Sequence, residues 1–343
     1  MTRFSWQRLR VGTCFALALA LSLVATLQTA QAQSSTQASL RLKWLPQAQF
    51  AGFYVAKAKG YYEDEGIDLT INPGGPNVLT ENLVASGSDT FGLAGGAESV
   101  LAARDKGLPV VAIGLGTQRT DFVFVTKRDG PIETIQDFAG HRVSTWFTGA
   151  NYALFAILAD QGVDRDQVSI QPQQVSMTPF INGATDVATA TWYNELNTLR
   201  DQLGEDALRL FSPDDYGITF PRDALVVSET TLAERPELVA GFLRATLRGW
   251  KEAFADPEQA VDIVMQVAPT LDRHHQQRML AEMQRLMTTG PAAEHGLYWL
   301  DHDTLVKEQD LLARYEVISQ SVDVGQAFVT TPLESIPLEA RLP

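Results

Sequence analysis

Residues Leu40–Asn72 read LRLKWLPQAQFAGFYVAKAKGYYEDEGIDLTIN. The apolar segment Leu40–Leu45 predicts a strand, and Ala48–Lys59 predicts a helix. Gly60 then stands where helices most readily end, because glycine enters the left-handed region without a side-chain clash. A second strand is expected at Asp68–Asn72. The alternation continues downstream, with predicted strands at Thr90–Ala94, Val110–Leu115, Asp121–Thr126, Arg142–Trp146, Val168–Gln171 and Asp186–Thr191. Helices fall between them, among them Glu98–Lys106, ended by Gly107. Strand–helix alternation at this spacing means βαβ units and a mostly parallel sheet, hence an α/β protein.

Past Leu225–Ser228 the pattern turns helical only. Pro236–Ala255 and Pro257–Val267 both carry proline in the first turn, and Asp256 is placed to cap the second. Further helices are expected at Arg273–Met287 and Asp303–Tyr315. A chain of 343 residues suits two lobes, each with its own core. Gly, Pro and Asp cluster at Gly116–Thr120 and Phe211–Thr219, which are the expected chain crossings. That division gives one lobe of 39–118 plus 218–330, a second of 119–217, and a C-terminal tail at 331–343. One large doubly wound domain is the alternative.

The N-terminus has the form of an export signal. Arg3, Arg8 and Arg10 precede an apolar run from Val11 to about Leu27, and Ala30 and Ala32 supply the small side chains of a cleavage site. Residues 1–32 are therefore expected to be a signal peptide, cut after Ala32 to leave a periplasmic protein. Cys14 is the single cysteine and would leave with that segment, which removes disulfides, thiolate metal sites and cysteine nucleophiles from the expectation. The formal charge is −14, and loss of three arginines makes it more negative still. Such a surface repels phosphate backbones and anionic lipid heads, so nucleic-acid partners are not expected.

Ligands of open parallel sheets sit beyond the carboxyl ends of the strands. The turns predicted there hold Trp44–Phe50, Gly95–Ser99, Trp146–Asn151 and Trp192–Glu195. Three of the six tryptophans, Trp44, Trp146 and Trp192, fall in these turns. Exposed aromatic faces beside Gln, Asn and Glu suit a flat ligand whose edge is read by hydrogen bonds. Glu195 is a candidate acceptor for a ligand amino group or ring N–H, and Gly95 permits close approach of the backbone. Glu98 has the plainer role of a carboxylate at a helix N-terminus. The helix start at Thr148–Asn151 would serve an anion.

Catalytic motifs are lacking. His141, His274, His275, His295 and His302 show no metal spacing, and Asp301-His302-Asp303 reads as a polar helix start. No Gly-x-Ser-x-Gly or Walker loop occurs, and Gly114-Leu115-Gly116 lacks the third glycine of a dinucleotide loop. The sequence thus names no catalytic residue, metal or cofactor.

The runs Lys43–Ala56 and Lys59–Leu69, extended by Glu98–Arg104 and Tyr193-Asn194-Glu195, resemble ABC-transporter substrate-binding proteins of the family named for aliphatic-sulfonate binding proteins and thiamine-pyrimidine synthases. The resemblance implies a type II periplasmic-binding-protein fold closing on its ligand like a hinged clamp, with an ABC permease and its ATPase in the inner membrane as partners. A monomer is expected. The Trp-Pro-Gln opening and the Asn-Glu pair look most like the branch that binds riboflavin or thiamine-pyrimidine precursors such as formylaminopyrimidine. Carried over, the site residues are Trp44, Gln49, Tyr54, Trp146, Asn151, Trp192, Tyr193, Asn194 and Glu195, beside Gly95 and Glu98. Eukaryotic members that build the thiamine pyrimidine with pyridoxal phosphate use a lysine and a histidine in the segment matching Gly95–Ser99, plus a cysteine-rich motif. Here that segment holds neither. The synthase and a sulfonate or taurine binder stand as alternatives.

Overall fold

The computed structural model describes Ser35–Pro343. The expected signal peptide, its cleavage point and Cys14 lie outside the described residues. Thr36–Pro343 forms one compact unit built on two five-stranded sheets. The first sheet opens with β1 (Thr36–Arg41), β2 (Ile67–Asn72), β3 (Phe91–Gly96) and β4 (Val110–Thr117). The chain then passes to the second, which takes β5 (Phe122–Lys127), β6 (Arg142–Thr145), β7 (Ser169–Pro172), β8 (Val187–Thr191) and β9 (Leu208–Phe211). β10 (Arg222–Ser228) returns to the first sheet.

The strand orders are β2-β1-β3-β10-β4 and β7-β6-β8-β5-β9. β5 is antiparallel to both β8 and β9, and β10 to both β3 and β4. The other pairs are parallel. Both sheets are therefore mixed, where the strand–helix alternation predicts mostly parallel ones. The crossings explain the difference. A strand that follows a returning helix starts at the far edge of its sheet and ends at the edge facing the other sheet. β5 and β10 follow crossings, which emerge at that facing edge, so these two strands run outward from it. The space between the sheets thus receives the carboxyl ends of β1, β3, β6 and β8 together with the amino ends of β5 and β10.

Two strands escape the sequence reading. β9 is only four residues long, and the continuous apolar run of β10 carries no alternation because both its faces are covered. The first strand also lies upstream of its expected place. Arg41 pairs with Asn72, the last residue of β2, and Leu42 N–H donates to Asn72 O at 2.9 Å. Beyond that point the partner strand has ended, which frees Lys43 and Trp44 to turn toward the second sheet.

Helices α1 (Ala51–Ala58), α2 (Ala97–Asp105), α3 (Ala150–Asp160) and α4 (Glu195–Leu203) follow β1, β3, β6 and β8. The helical C-terminal part comprises α5 (Pro236–Ala255), α6 (Pro257–Val267), α7 (Arg273–Thr288) and α8 (His302–Arg314), with shorter turns between. Asp256, Asp272 and Asp301 each accept a bond from a backbone N–H in the following turn, at 3.1, 2.7 and 3.2 Å. Asp301-His302-Asp303 is accordingly a helix start. Leu238, Phe242 and Trp250 bury one face of α5 at helical spacing, and Phe242 stacks on Phe91 of β3 with centroids 3.8 Å apart. Residues 331–343 fold into two short helices that bury Leu333 and Ile336. Among the described residues, no helix is long and apolar enough to cross a membrane.

Candidate ligand-binding cleft

The strand ends converge on one cavity of about 50 Å³. Lys43 and Trp44 reach it past β1, Gly95 within the last residues of β3, Trp146 and Thr148 past β6, and Tyr193, Asn194 and Glu195 past β8. Asp121 and Phe122 enter at the start of β5, and Arg222 at the start of β10. Trp44 and Trp146, carried by opposite sheets, meet edge to face with centroids 5.4 Å apart and planes at 69°.

An ion network forms one wall. Asp121 accepts from Arg222 Nε at 3.0 Å, Lys43 Nζ at 3.1 Å and Tyr193 Oη at 3.4 Å. Lys43 also pairs with Asp223, and Arg222 with Glu98. Burial pushes Asp121 up to about 6, while Lys43 pulls it down and Asp223 pushes it further up. Burial lowers the Arg222 guanidinium to about 10. Asp223 stands in the left-handed region at φ 59°, an arrangement costing on the order of 1 kcal/mol or more and held by its surroundings. Asp121 comes from the crossing into the second sheet, whereas both its cationic partners come from the first. The network therefore ties the lobes together, and removing one member would strand a buried charge.

The opposite wall is built to read polar edges. Glu195 Oε2 accepts from Thr191 N at 3.0 Å and Thr191 Oγ1 at 2.6 Å, and its Oε1 accepts from Asn194 Nδ2 at 2.6 Å. Burial raises the Glu195 carboxyl, and the Thr191 and Asn194 bonds pull it back. A carboxylate offers about four acceptor positions, so Glu195 retains one for a donor in the cavity. Gln49, 2% exposed, lines the cavity with Oε1 buried and without a hydrogen-bond partner among the described residues. A buried acceptor in that condition marks a place for a donor.

Of the residues expected from sequence, Trp44, Gln49, Gly95, Trp146, Tyr193, Asn194 and Glu195 line this cavity. Four do not. Trp192 lines a separate surface pocket with Arg119 and Arg285, because Thr191 faces the cavity and the next side chain points the other way. Tyr54 is buried within α1. Glu98 lies beneath the cavity, bound to Arg222. Asn151 Oδ1 accepts from Gly149 N at 3.3 Å, and Asn151 N donates to Trp146 O at 3.0 Å. The helix start at Thr148–Asn151 thus spends these N–H groups internally.

Lys43, Asp121, Phe122 and Arg222 were not expected. Three of these four sit at the amino ends of β5 and β10 or immediately before, whereas the sequence expectation rested on carboxyl strand ends. For Asp121 and Arg222 the available signal was a charge within three residues after each expected crossing. Among the described residues, no group of three or more His, Cys, Asp or Glu side chains is placed to hold a metal ion.

A family model described as NMT1/THI5 like matches residues 47–260. The chain belongs to the NMT1/THI5-like family. The riboflavin-binding protein RibY of Chloroflexus aurantiacus is 30% identical over 300 residues, covering 85% of this chain and 84% of its own. The formylaminopyrimidine-binding protein of Halalkalibacterium halodurans is 27% identical over 261 residues, covering 73% and 77%. A 4-amino-5-hydroxymethyl-2-methylpyrimidine phosphate synthase of Legionella pneumophila is 26% identical over 316 residues, covering 90% and 96%. Among solved structures, the alkanesulfonate-binding protein SsuA from Xanthomonas axonopodis pv. citri bound to MOPS superposes with TM-score 0.66 at 17% identity, covering 86% of this chain and 98% of that one. This NMT1/THI5-like chain therefore has the two-lobed α/β fold of periplasmic binding proteins.

Proposed function

We propose that this chain is the solute-binding component of an ABC importer and that it binds a small planar nitrogen heterocycle, riboflavin or a pyrimidine such as formylaminopyrimidine. One observation carries the reading. Two tryptophans from opposite lobes close over a cavity whose wall holds a buried, unpartnered Gln49 acceptor and the Glu195 carboxylate. A flat ring stacks on the indoles and gives its N–H groups to those oxygens. The relatives named for riboflavin and formylaminopyrimidine bind molecules of that kind.

In this reading the chain is exported, cut after Ala32 and held in the periplasm as a monomer. Lobes of 39–118 plus 218–330 and of 119–217 hinge at the crossings, and the closed form docks on a permease coupled to an ATPase. Binding without chemistry is supported by the site itself. Gly95–Ser99 holds neither lysine nor histidine, and Lys43, which lines the cavity, is engaged by Asp121 and Asp223. The internal use of the Gly149 and Asn151 N–H groups weighs against a sulfonate.

A thermal-shift comparison of riboflavin, formylaminopyrimidine, taurine and pyridoxal phosphate tests this. Ligand at a hundred times its dissociation constant stabilises by about 2.7 kcal/mol, so one of the first two should raise Tm clearly. A shift with taurine alone, or a stable Schiff-base absorbance with pyridoxal phosphate, would overturn the reading.

A further inference from the structure

We infer that Lys43 is a positioning residue for ligand binding: it fixes the Trp44 wall of the cleft against both chain crossings, so that lobe closure depends on its charge. The inference rests on the reading of this cleft as the ligand site. Lys43 directly precedes Trp44, and its ammonium meets two aspartates, Asp121 Oδ2 at 3.1 Å and Asp223. Asp121 immediately precedes β5, where the chain enters the second sheet, and Asp223 lies at the start of β10, where it returns to the first. One side chain beside the ring site thus holds the carboxylate that follows each crossing.

The backbone on either side of this contact is closely seated. Gly74 N donates to Trp44 O at 2.9 Å. A Cβ at Gly74 would lie 2.5 Å from the Lys43 carbonyl carbon and 2.7 Å from Trp44 N, so only glycine lets the chain after β2 press on Lys43 and Trp44 this closely. Trp44 meets Trp146 of the second sheet, and one wall of the ring site therefore follows wherever Lys43 is drawn. Asp223 is held as firmly. Its φ of 59° is rare for a residue with a side chain, and a Cβ at Gly116 would lie 2.8 Å from Asp223 Cβ. The Gly114-Leu115-Gly116 run, which is no dinucleotide loop, thus makes room at the end of β4 for the aspartate that pairs with Lys43.

Charge decides what Lys43 does there. Asp121 is buried and faces Lys43 beyond β1, Arg222 and Asp223 at β10, and Tyr193 and Glu195 beyond β8. Arg222 also pairs with Glu98, and Lys43 with Asp223. Two cations therefore serve three carboxylates, and loss of Lys43 leaves the Asp121 charge poorly compensated when the lobes are together. Lys43 pulls the Asp121 carboxyl down against its burial, so without the lysine that carboxyl rises further. Acid then supplies what the lysine did, because a protonated Asp121 carries no charge to offset.

Calorimetric titration of riboflavin and of formylaminopyrimidine into the wild type and Lys43→Met, at pH 7.5 and at pH 5, tests the inference. At pH 7.5 the variant should bind whichever probe the wild type binds about tenfold or more weakly. At pH 5 the two proteins should agree within about threefold. In an Asp121→Asn background, Lys43→Met should cost less than about twofold at either pH. No loss at pH 7.5, a loss of equal size at both pH values, or one that persists beside Asp121→Asn would overturn the inference, the last two showing that Lys43 acts by packing alone. Should neither probe bind, the planar-ring reading falls, and urea denaturation of the ligand-free proteins decides the role of Lys43 by the same criterion. Destabilisation at pH 7.5 that is recovered at pH 5 supports the charge coupling, and equal or absent destabilisation overturns it.

Discussion

His275 Nε2 lies 2.8 Å from Asn194 Oδ1, a bond that joins α7 of the first lobe to the cap of α4 in the second. Asn194 gives its Nδ2 to Glu195, and an ionised carboxylate only accepts, so the amide must turn its oxygen to the histidine. The Nε2 of His275 therefore carries the proton. Burial, aided by Arg278, lowers the His275 imidazole below its usual range and keeps it neutral at pH 7. The neighbouring Gln276 Oε1 accepts from Ala48 N at 2.8 Å, and Arg278 pairs with Asp201 at 2.8 Å. One turn of α7 thus grips both the Trp44 loop and α4.

From that grip follows the first prediction. His275→Ala should release bound ligand about two- to tenfold faster, the range of one hydrogen bond worth about 0.5–1.5 kcal/mol. His275→Gln, which can still donate, should recover part of the loss. Stopped-flow dissociation reads both, and unchanged rates would show that the contact does not stabilise the closed form.

Burial raises the Asp121 carboxyl to about 6 in the folded protein, against about 3.9 in an unfolded chain. The native state therefore binds this proton more tightly than the unfolded state does. Its stabilising contribution is complete below pH 4 and is lost as pH rises through 6. The stability of the wild type relative to Asp121→Asn should fall between pH 4 and 7 in urea denaturation. A flat difference would mean that Lys43 and Arg222 fully offset the burial of Asp121.

Gly95 faces the other lobe at backbone distance. A Cβ at this position would lie 2.6 Å from the Thr148 carbonyl oxygen, and a backbone oxygen cannot swing aside. Overpacking of this kind costs about 1–3 kcal/mol, here charged to closure because Gly95 and Thr148 belong to different lobes. Gly95→Ala should weaken ligand binding about tenfold or more, and its scattering radius should no longer contract when ligand is added. Normal contraction would refute the contact as a closing constraint.

The tryptophans separate by facing. Trp44→Ala, which removes an indole from the cavity, should raise Kd at least tenfold. Trp192→Ala should change it less than twofold, since Trp192 packs outside the cavity. Calorimetry on the two variants decides, and equal losses would contradict the placement of Trp192.

Much of the fold was legible because local chemistry enforces it. Pro236 and Pro257 start helices where proline fits the first turn, and Asp256 and Asp301 cap as read. The direction of β5 and β10 was not legible, since a strand's neighbours lie a hundred residues away, as Arg222 lies from Asp121. Of the cavity lining, Trp44, Gln49, Asn194 and Glu195 were legible from their place after strands. Trp192 lies outside the cavity because one residue of alternation reverses a side chain, and the exact end of β8 is set by its pairing.

By itself the sequence determined the α/β alternation, the family, the helical C-terminal part and the aromatic and amide groups offered to a ligand. Those features follow from spacing along the chain, where periodicity and caps act within a few residues. Tertiary structure alone decided that Lys43, Arg222 and Asp121 meet as one network, that Gly95 abuts Thr148, and that His275 holds Asn194. Each of these contacts joins segments distant in sequence, and only packing of the two lobes against each other brings them within reach.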